Sequence, residues 1–253
     1  MFKTLQNAFK IKEIREKLLY TFFMLVVIRL GSQLPIPGVD TKFFAELFAR
    51  QSSDAFGFFN TITGGSFTNM SVFALSITPY ITSSIIMQLL TIAIPKLEEM
   101  QREGEDGRKK IAEYTRYLTV GLALMQSIAM SVGFGGRGLL IDFNAVSVIV
   151  AIATMTSGSA MLMWIGERIT ERGVGNGISI VLLFNIISTL PSDMITLYER
   201  FLVGKNVPVA TVSLIIILAI ILAMVVFVIV LQDGERRIPV QYSKKIRRQQ
   251  DIS

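Results

Sequence analysis

The chain has 253 residues, of which 51% are hydrophobic and 17% charged, with a net charge of +6 and neither histidine nor cysteine; its mean hydropathy is +0.55. A soluble domain carries about 25% charged residues. The missing residue types exclude disulfides, thiolate chemistry, cysteine zinc sites, Ser-His-Asp triads and imidazole metal ligands, which leaves an integral membrane protein if the apolar residues fall in blocks of about 20.

Six such blocks are present: Leu18–Leu34, Phe73–Ile94, Tyr114–Gly133, Ala145–Gly166, Val174–Pro191 and Thr211–Gln232. Residues 1–17 precede them as a basic segment with Lys3, Lys10, Lys12, Arg15 and Lys17. The first span is too long and too early-charged for a secretory signal, and no small-x-small cleavage site follows it, so it reads as a retained helix. Arg29 lies toward its outer end, where it either snorkels outward or pairs with a buried acceptor.

From Ala55 to Pro95 run 41 residues without a charged side chain, although one membrane helix needs only about 20. The first part, Gly57–Met70, is rich in Gly, Ser, Thr and Asn. It is too polar for lipid and too uncharged for an ordinary exposed loop. Irregular backbone at membrane depth is tolerated only inside protein or beside water, which predicts a re-entrant or half-helical element; an external loop is the alternative. The second span, Phe73–Ile94, carries Ser76, Thr78, Tyr80, Thr82, Ser83, Ser84, Gln88 and Thr91. Such a surface is expected to meet another helix or water, and Pro79 is expected to bend it. Ile77, Ile81 and Ile85 recur every fourth residue as one narrow stripe, for packing, lipid contact or the lining of a pore.

A basic loop with Lys96, Arg102, Arg108, Lys109, Lys110 and Arg116 follows the second span. After the fourth span, Glu167–Arg172 leads into Gly173-Val174-Gly175-Asn176-Gly177. A glycine-rich turn cradles phosphate when it joins a strand to a helix; between two spans it reads as a tight cytoplasmic connection. The sixth span is unbroken apolar sequence from Leu214 to Leu231. No Asp or Glu lies well inside a span, which weakens an ion-coupled transporter, although backbone carbonyls also hold ions.

Of the 25 basic residues, 19 fall in the terminal segments and the loops on their side, against 5 in the alternate loops, with Arg29 inside a span. That bias and the even number of spans put both termini in the cytoplasm. The tail, 233–253, holds Arg236, Arg237, Lys244, Lys245, Arg247 and Arg248. These basic loops also admit a nucleic-acid or membrane-lipid reading.

Five stretches, Arg29–Gly38, Phe73–Ile81 with Ser84–Leu90, Glu103–Ile111, Trp164–Ser179 and Gly234–Tyr242, resemble the SecY family, the central subunits of the bacterial protein-conducting channel. Ser76 stands where that family usually has Gly. The resemblance implies an all-α polytopic membrane protein with six transmembrane helices and a plug-like re-entrant segment before the second. Residues 18–192 would form one SecY half (helices one to five, with the plug at 57–70). Residues 193–232 would form an external loop and the first helix of the other half, and 233–253 the start of the next cytoplasmic loop. SecY has ten helices, so a fragment lacking the carboxy-terminal half of the same protein is expected. In the resemblance, Asn60, Thr61, Ile62, Thr63, Gly64, Gly65, Ser66 and Phe67 belong to the plug. Ile81, Ile85 and Ile186 match a hydrophobic pore ring, and Thr82 and Gln126 a lateral gate. The basic start of the tail, Arg236 and Arg237 in particular, matches a docking surface, and the cytoplasmic charge excess extends that surface to Lys244, Lys245, Arg247 and Arg248 and to Arg108, Lys109 and Lys110. The implied function is passage of unfolded secretory polypeptides across, and of membrane helices laterally into, the bacterial plasma membrane. It implies no enzyme activity, cofactor or metal. The implied partners are SecE, SecG, the SecA ATPase, the ribosome and a translocating polypeptide with a signal sequence. An inverted-repeat transporter with a broken helix and a structural scaffold are the alternatives.

Overall fold

The structure, a computed structural model, describes residues 11–50, 54–201 and 207–234. It comprises helices α1 (Lys12–Gly31), α2 (Thr41–Arg50), α3 (Asp54–Ile62), α4 (Thr78–Ala93), α5 (Pro95–Arg102), α6 (Glu105–Phe134, continued by a π-turn Gly135–Leu139), α7 (Ala145–Arg172), α8 (Gly177–Phe201) and α9 (Val207–Gln232). No strand occurs among the described residues; two isolated antiparallel bridges pair Pro35 with Ser71 and Val39 with Leu140. The chain divides into two compact units, Met1–Pro191 and Ser192–Ser253.

Among the described residues, four helices are long and apolar enough to cross a membrane: α6 with its π-turn, α7, α8 over Gly177–Glu199 and α9 over Thr211–Gln232. The α4–α5 pair, bent by 101°, would be a fifth. The six-span count is therefore not reached on length and composition. The shortfall lies in α1, whose stretch Ile14–Gly31 retains Arg15, Glu16, Lys17 and Arg29.

Two buried clusters organise the first unit. One gathers Ile36, Val39, Phe44, Phe67, Met70 and Leu139. In it Phe67 meets Phe44 and Phe59 edge-on at 5.4 and 4.7 Å, the ring geometry that the aromatic quadrupole favours. The other joins Ile28 of α1, Phe73 and Ile77 of the turn segment, Leu162, Ile165 and Ile169 of α7, and Val181 of α8. Met70 and Ile77 are each 0% exposed; in a membrane such burial stabilises through van der Waals packing rather than through removal from water.

α6 and α7 pack through small and hydroxyl residues. Thr115, Thr119, Ala123, Ser127 and Ser131 are buried at every fourth position of α6, and Ser127 Oγ lies 2.9 Å from Thr156 Oγ1. Gly158 of α7 lets that helix reach the turn segment: a Cβ there would sit 2.0 Å from the Val72 carbonyl oxygen.

The second span begins later than its sequence suggests. Residues 63–77 are turns, and the helix starts at Thr78 with Pro79 in its first turn. Pro79 therefore opens the helix, where its missing N–H costs nothing, and the expected bend at Pro79 is absent. The sharp bend falls at Pro95. The basic loop is correspondingly a helical hairpin, with only Glu103 and Gly104 between α5 and α6. α8 continues through Pro191 to Phe201 rather than ending there.

Candidate functional site

The segment 57–70 is half helix and half turn: α3 ends at Ile62 and compact turns follow. Asn60 ties the two halves together. Its carbonyl accepts from Gly65 N at 3.0 Å, and its Oδ1 accepts from Thr68 N at 3.2 Å and Thr68 Oγ1 at 2.9 Å. Thr63 Oγ1 donates to the Asn60 carbonyl at 3.0 Å and accepts from Phe67 N at 3.3 Å. Thr63, Ser66, Phe67 and Met70 are buried. Beyond the turns, Ile36 N donates to Met70 O at 3.0 Å and Val72 N to Leu34 O at 2.9 Å, which fastens the segment to the chain leaving α1.

A chain of polar contacts lies beneath it. Arg29 Nη1 donates to the Gly64 carbonyl at 3.0 Å and to Ser188 Oγ at 3.2 Å. Ser188 Oγ donates to the Asn185 carbonyl at 2.7 Å. Asn185 Nδ2 donates to Ser76 Oγ at 3.2 Å, and Ser159 Oγ donates to the Ser76 carbonyl at 3.2 Å. Ser76 itself has φ 52°, in the left-handed region where a side chain is strained. Of the two fates open to Arg29, the structure shows pairing with a partly buried acceptor. Asn185, Ser188 and Ser159 carry no motif that sequence reasoning could have used, because their partners lie 83 to 159 residues away.

Three hydroxyls of the second span are satisfied by their own helix, whereas Thr78 Oγ1 is buried without a partner. Thr82, Ser83 and Thr91 donate to the carbonyls of Thr78, Pro79 and Met87 at 3.1, 2.7 and 2.7 Å, a bond that makes a polar helix face inexpensive in apolar surroundings. Ile81 packs half-buried against the second cluster, whereas Ile85, one turn on, is 52% exposed. Ile186, on α8 beside Asn185, is half-buried. Gln126 borders a cavity of about 400 Å³ with Phe59, Phe67, Leu75, Met130 and Phe134, next to the turn segment. Thr82 lines neither that cavity nor a second one, of about 430 Å³, among Tyr80, Ser84, Gln88, Gln101 and Arg108.

Arg108, Lys109 and Lys110 occupy exposed positions in the first two turns of α6, with Lys109 Nζ 3.4 Å from Glu105. Arg236, Arg237, Lys244, Lys245, Arg247 and Arg248 lie outside the described residues. Near that end of the bundle, Arg116 Nε donates to Glu167 Oε1 at 2.8 Å between α6 and α7. The glycine-rich connection is tight: Gly177 N donates to Thr170 Oγ1 at 2.8 Å and Val174 N to Thr21 Oγ1 at 3.2 Å. A Cβ at Gly177 would lie 2.0 Å from the Gly166 carbonyl oxygen. The N–H groups of Gly173, Val174 and Gly177 are thus engaged within the fold.

The SecY family model matches residues 71–253. The protein translocase subunit SecY of Bacillus subtilis (strain 168) is 42% identical over 252 residues, covering 96% of this chain and 57% of that protein. That of Escherichia coli (strain K12) is 40% identical, covering 92% and 53%. The chain thus spans little more than half the length of these curated relatives. Among solved structures, Sec61 in the canine ribosome-channel complex from the endoplasmic reticulum is similar in fold, with a TM-score of 0.52 at 19% identity over 90% of this chain and 50% of that one. The chain is a multi-pass, all-helical membrane protein, and it belongs to the SecY family.

Proposed function

We propose that the chain is a subunit of a passive protein-conducting channel. It passes unfolded secretory polypeptides across, and membrane helices laterally into, the bacterial plasma membrane, with both termini cytoplasmic. In this reading α1 and the bent α4–α5 pair cross the membrane with the four long helices, and the carboxy-terminal half of the same protein completes the wall. The observation that carries it is the charge-free segment 57–70, whose turn residues Thr63, Ser66, Phe67 and Met70 are buried and which is tied to the surrounding elements by the Arg29–Gly64 and Ile36–Met70 bonds, in a chain of this family. A segment of that kind is suited to act as a plug: packed enough to seal, and polar enough to leave its seat into water.

Ile81, Ile85 and Ile186 supply the constriction. Branched apolar side chains dewet a narrow passage against ions and yield to a chain passing through. Thr82 and Gln126 belong to the lateral exit. Arg108–Lys110 and the basic tail face the cytoplasm as a docking surface for SecA or the ribosome, and SecE and SecG are the small membrane partners. Energy comes from those partners, and the chain itself catalyses no reaction. The similar Sec61 belongs to a ribosome-channel complex, which fits the ribosome as one such partner. Nothing favours the transporter alternative.

The test is deletion of Asn60–Phe67 in the assembled channel, read by ion conductance in planar bilayers and by export of a substrate without a signal sequence. A leak or relaxed signal selection is expected. Unchanged conductance with unchanged rejection of signal-less substrates contradicts the plug.

A further inference from the structure

Arg29 is the one cation well inside a predicted span, and among the described residues no carboxylate lies within ion-pair distance of it. Its guanidinium is spent on two neutral acceptors from different elements: the Gly64 carbonyl of the turn segment at 3.0 Å and Ser188 Oγ of α8 at 3.2 Å. A charge placed in apolar surroundings without a counter-ion is costly unless its donors are engaged, so these bonds carry more weight than their number suggests. Gly64 completes the contact. With φ +67° it turns its carbonyl toward Arg29, and a Cβ there would lie 3.0 Å from Ser188 Oγ and 3.1 Å from the Asn185 Cα. The backbone of the segment therefore rests directly on α8, and the bond is to main chain.

We propose that Arg29 is the positioning residue that latches the turn segment onto α1, braced against α8 through Ser188, and that breaking the Arg29–Gly64 bond sets how readily the segment leaves its seat. The inference rests on the plug reading for its consequence in transport, but the latch is a statement about the segment's own equilibrium. A hydrogen bond to a charged group is strong enough that its loss raises the unseated population roughly 10- to 100-fold. Ser188→Ala removes the secondary partner and leaves the latch itself, so it has a smaller effect in the same direction.

These 253 residues hold no cysteine, so an introduced thiol is the single one in this part of the channel, and the parent channel without it supplies the background rate. Ser66, 2% exposed in the segment, and Ser131, 0% exposed in α6, become Ser66→Cys and Ser131→Cys in the assembled channel in membranes, labelled with a water-soluble maleimide. Arg29→Met, which keeps bulk and removes every donor, is expected to speed labelling at position 66 by 10- to 100-fold and to leave position 131 unchanged. Arg29→Lys, which keeps the charge and can reach one acceptor, is expected to restore most of the protection. Equal rates at position 66 with Arg and Met overturn the latch, as does acceleration at both positions, which means general loosening. Failure of the plug reading is separate. Labelling at 66 then rises with Arg29→Met, while ion conductance stays at the wild-type level both in that variant and after deletion of Asn60–Phe67.

Discussion

Ser76→Gly sets two effects against each other, and the structure gives a size to each. Ser76 is held at φ 52°, which costs an L-residue about 1–2 kcal/mol. Glycine removes that strain but adds about 0.5–1 kcal/mol through the entropy of the unfolded chain. The substitution also deletes the acceptor for Asn185 Nδ2, 3.2 Å away on a residue that is 6% exposed. An unpaired buried amide donor costs about 1–3 kcal/mol. The net expectation is a loss of about 1 kcal/mol, within bounds of about −0.5 to 3 kcal/mol. Ser76→Ala keeps the strain and loses the bond, so it is worse than glycine by about 1 kcal/mol. In an Asn185→Ala background the donor is gone, and Ser76→Gly changes sign, stabilising by up to about 1 kcal/mol. Reversible unfolding in mixed micelles measures the cycle, with the fluorescence of Trp164, the single tryptophan, as the probe. If Ser76→Gly shifts stability equally in both backgrounds, the hydrogen bond contributes nothing and the reasoning is refuted.

Gly158→Ala places a Cβ 2.0 Å from the Val72 carbonyl oxygen and is expected to destabilise by about 1–3 kcal/mol. Gly121→Ala, with open space around it, is expected to stabilise α6 by up to about 1 kcal/mol; the same micelle assay decides, and equal effects would remove the close approach of α7 to the turn segment. Serine at Ile81, Ile85 and Ile186 together widens and wets the constriction, so planar-bilayer conductance of the assembled channel rises; wild-type conductance argues against a shared pore. Arg236→Lys with Arg237→Lys keeps the charge and removes the bidentate forks. Weaker SecA and ribosome binding is expected, and full binding and translocation would leave only electrostatic attraction, which salt screens beyond about 10 Å at 0.1 M.

The hydropathy blocks correspond well to α6, α7 and α9 because lipid-length apolar runs have few other uses. Boundaries fail where local geometry decides. Nothing in the apolar run Phe73–Ile77 shows that Ser76 takes a positive φ, so the second span is assigned five residues too early. The polar residues of that span suggest an aqueous or helical partner, yet Thr82, Ser83 and Thr91 turn back onto carbonyls one turn before them, a solution periodicity does not reveal. The charge-free stretch from Ala55 was legible as unusual because composition alone conflicts with both lipid and open water. Its seat was not: Gly64, Ser188, Asn185, Ser76 and Ser159 meet across the fold, and only Arg29 carries a charge that attracts notice in sequence. The pore and gate roles rest on family resemblance rather than on spacing, since an isoleucine stripe looks alike against lipid, protein or a pore.

The most direct test of a protein-conducting channel is site-specific crosslinking of an arrested translocating polypeptide to Ile81→Cys, Ile85→Cys and Ile186→Cys in the assembled channel, with the parent channel lacking these substitutions as the background. The account predicts crosslinks from all three positions to the arrested polypeptide, dependent on its signal sequence. Crosslinks to lipid alone would place the stripe on the outer face and contradict it.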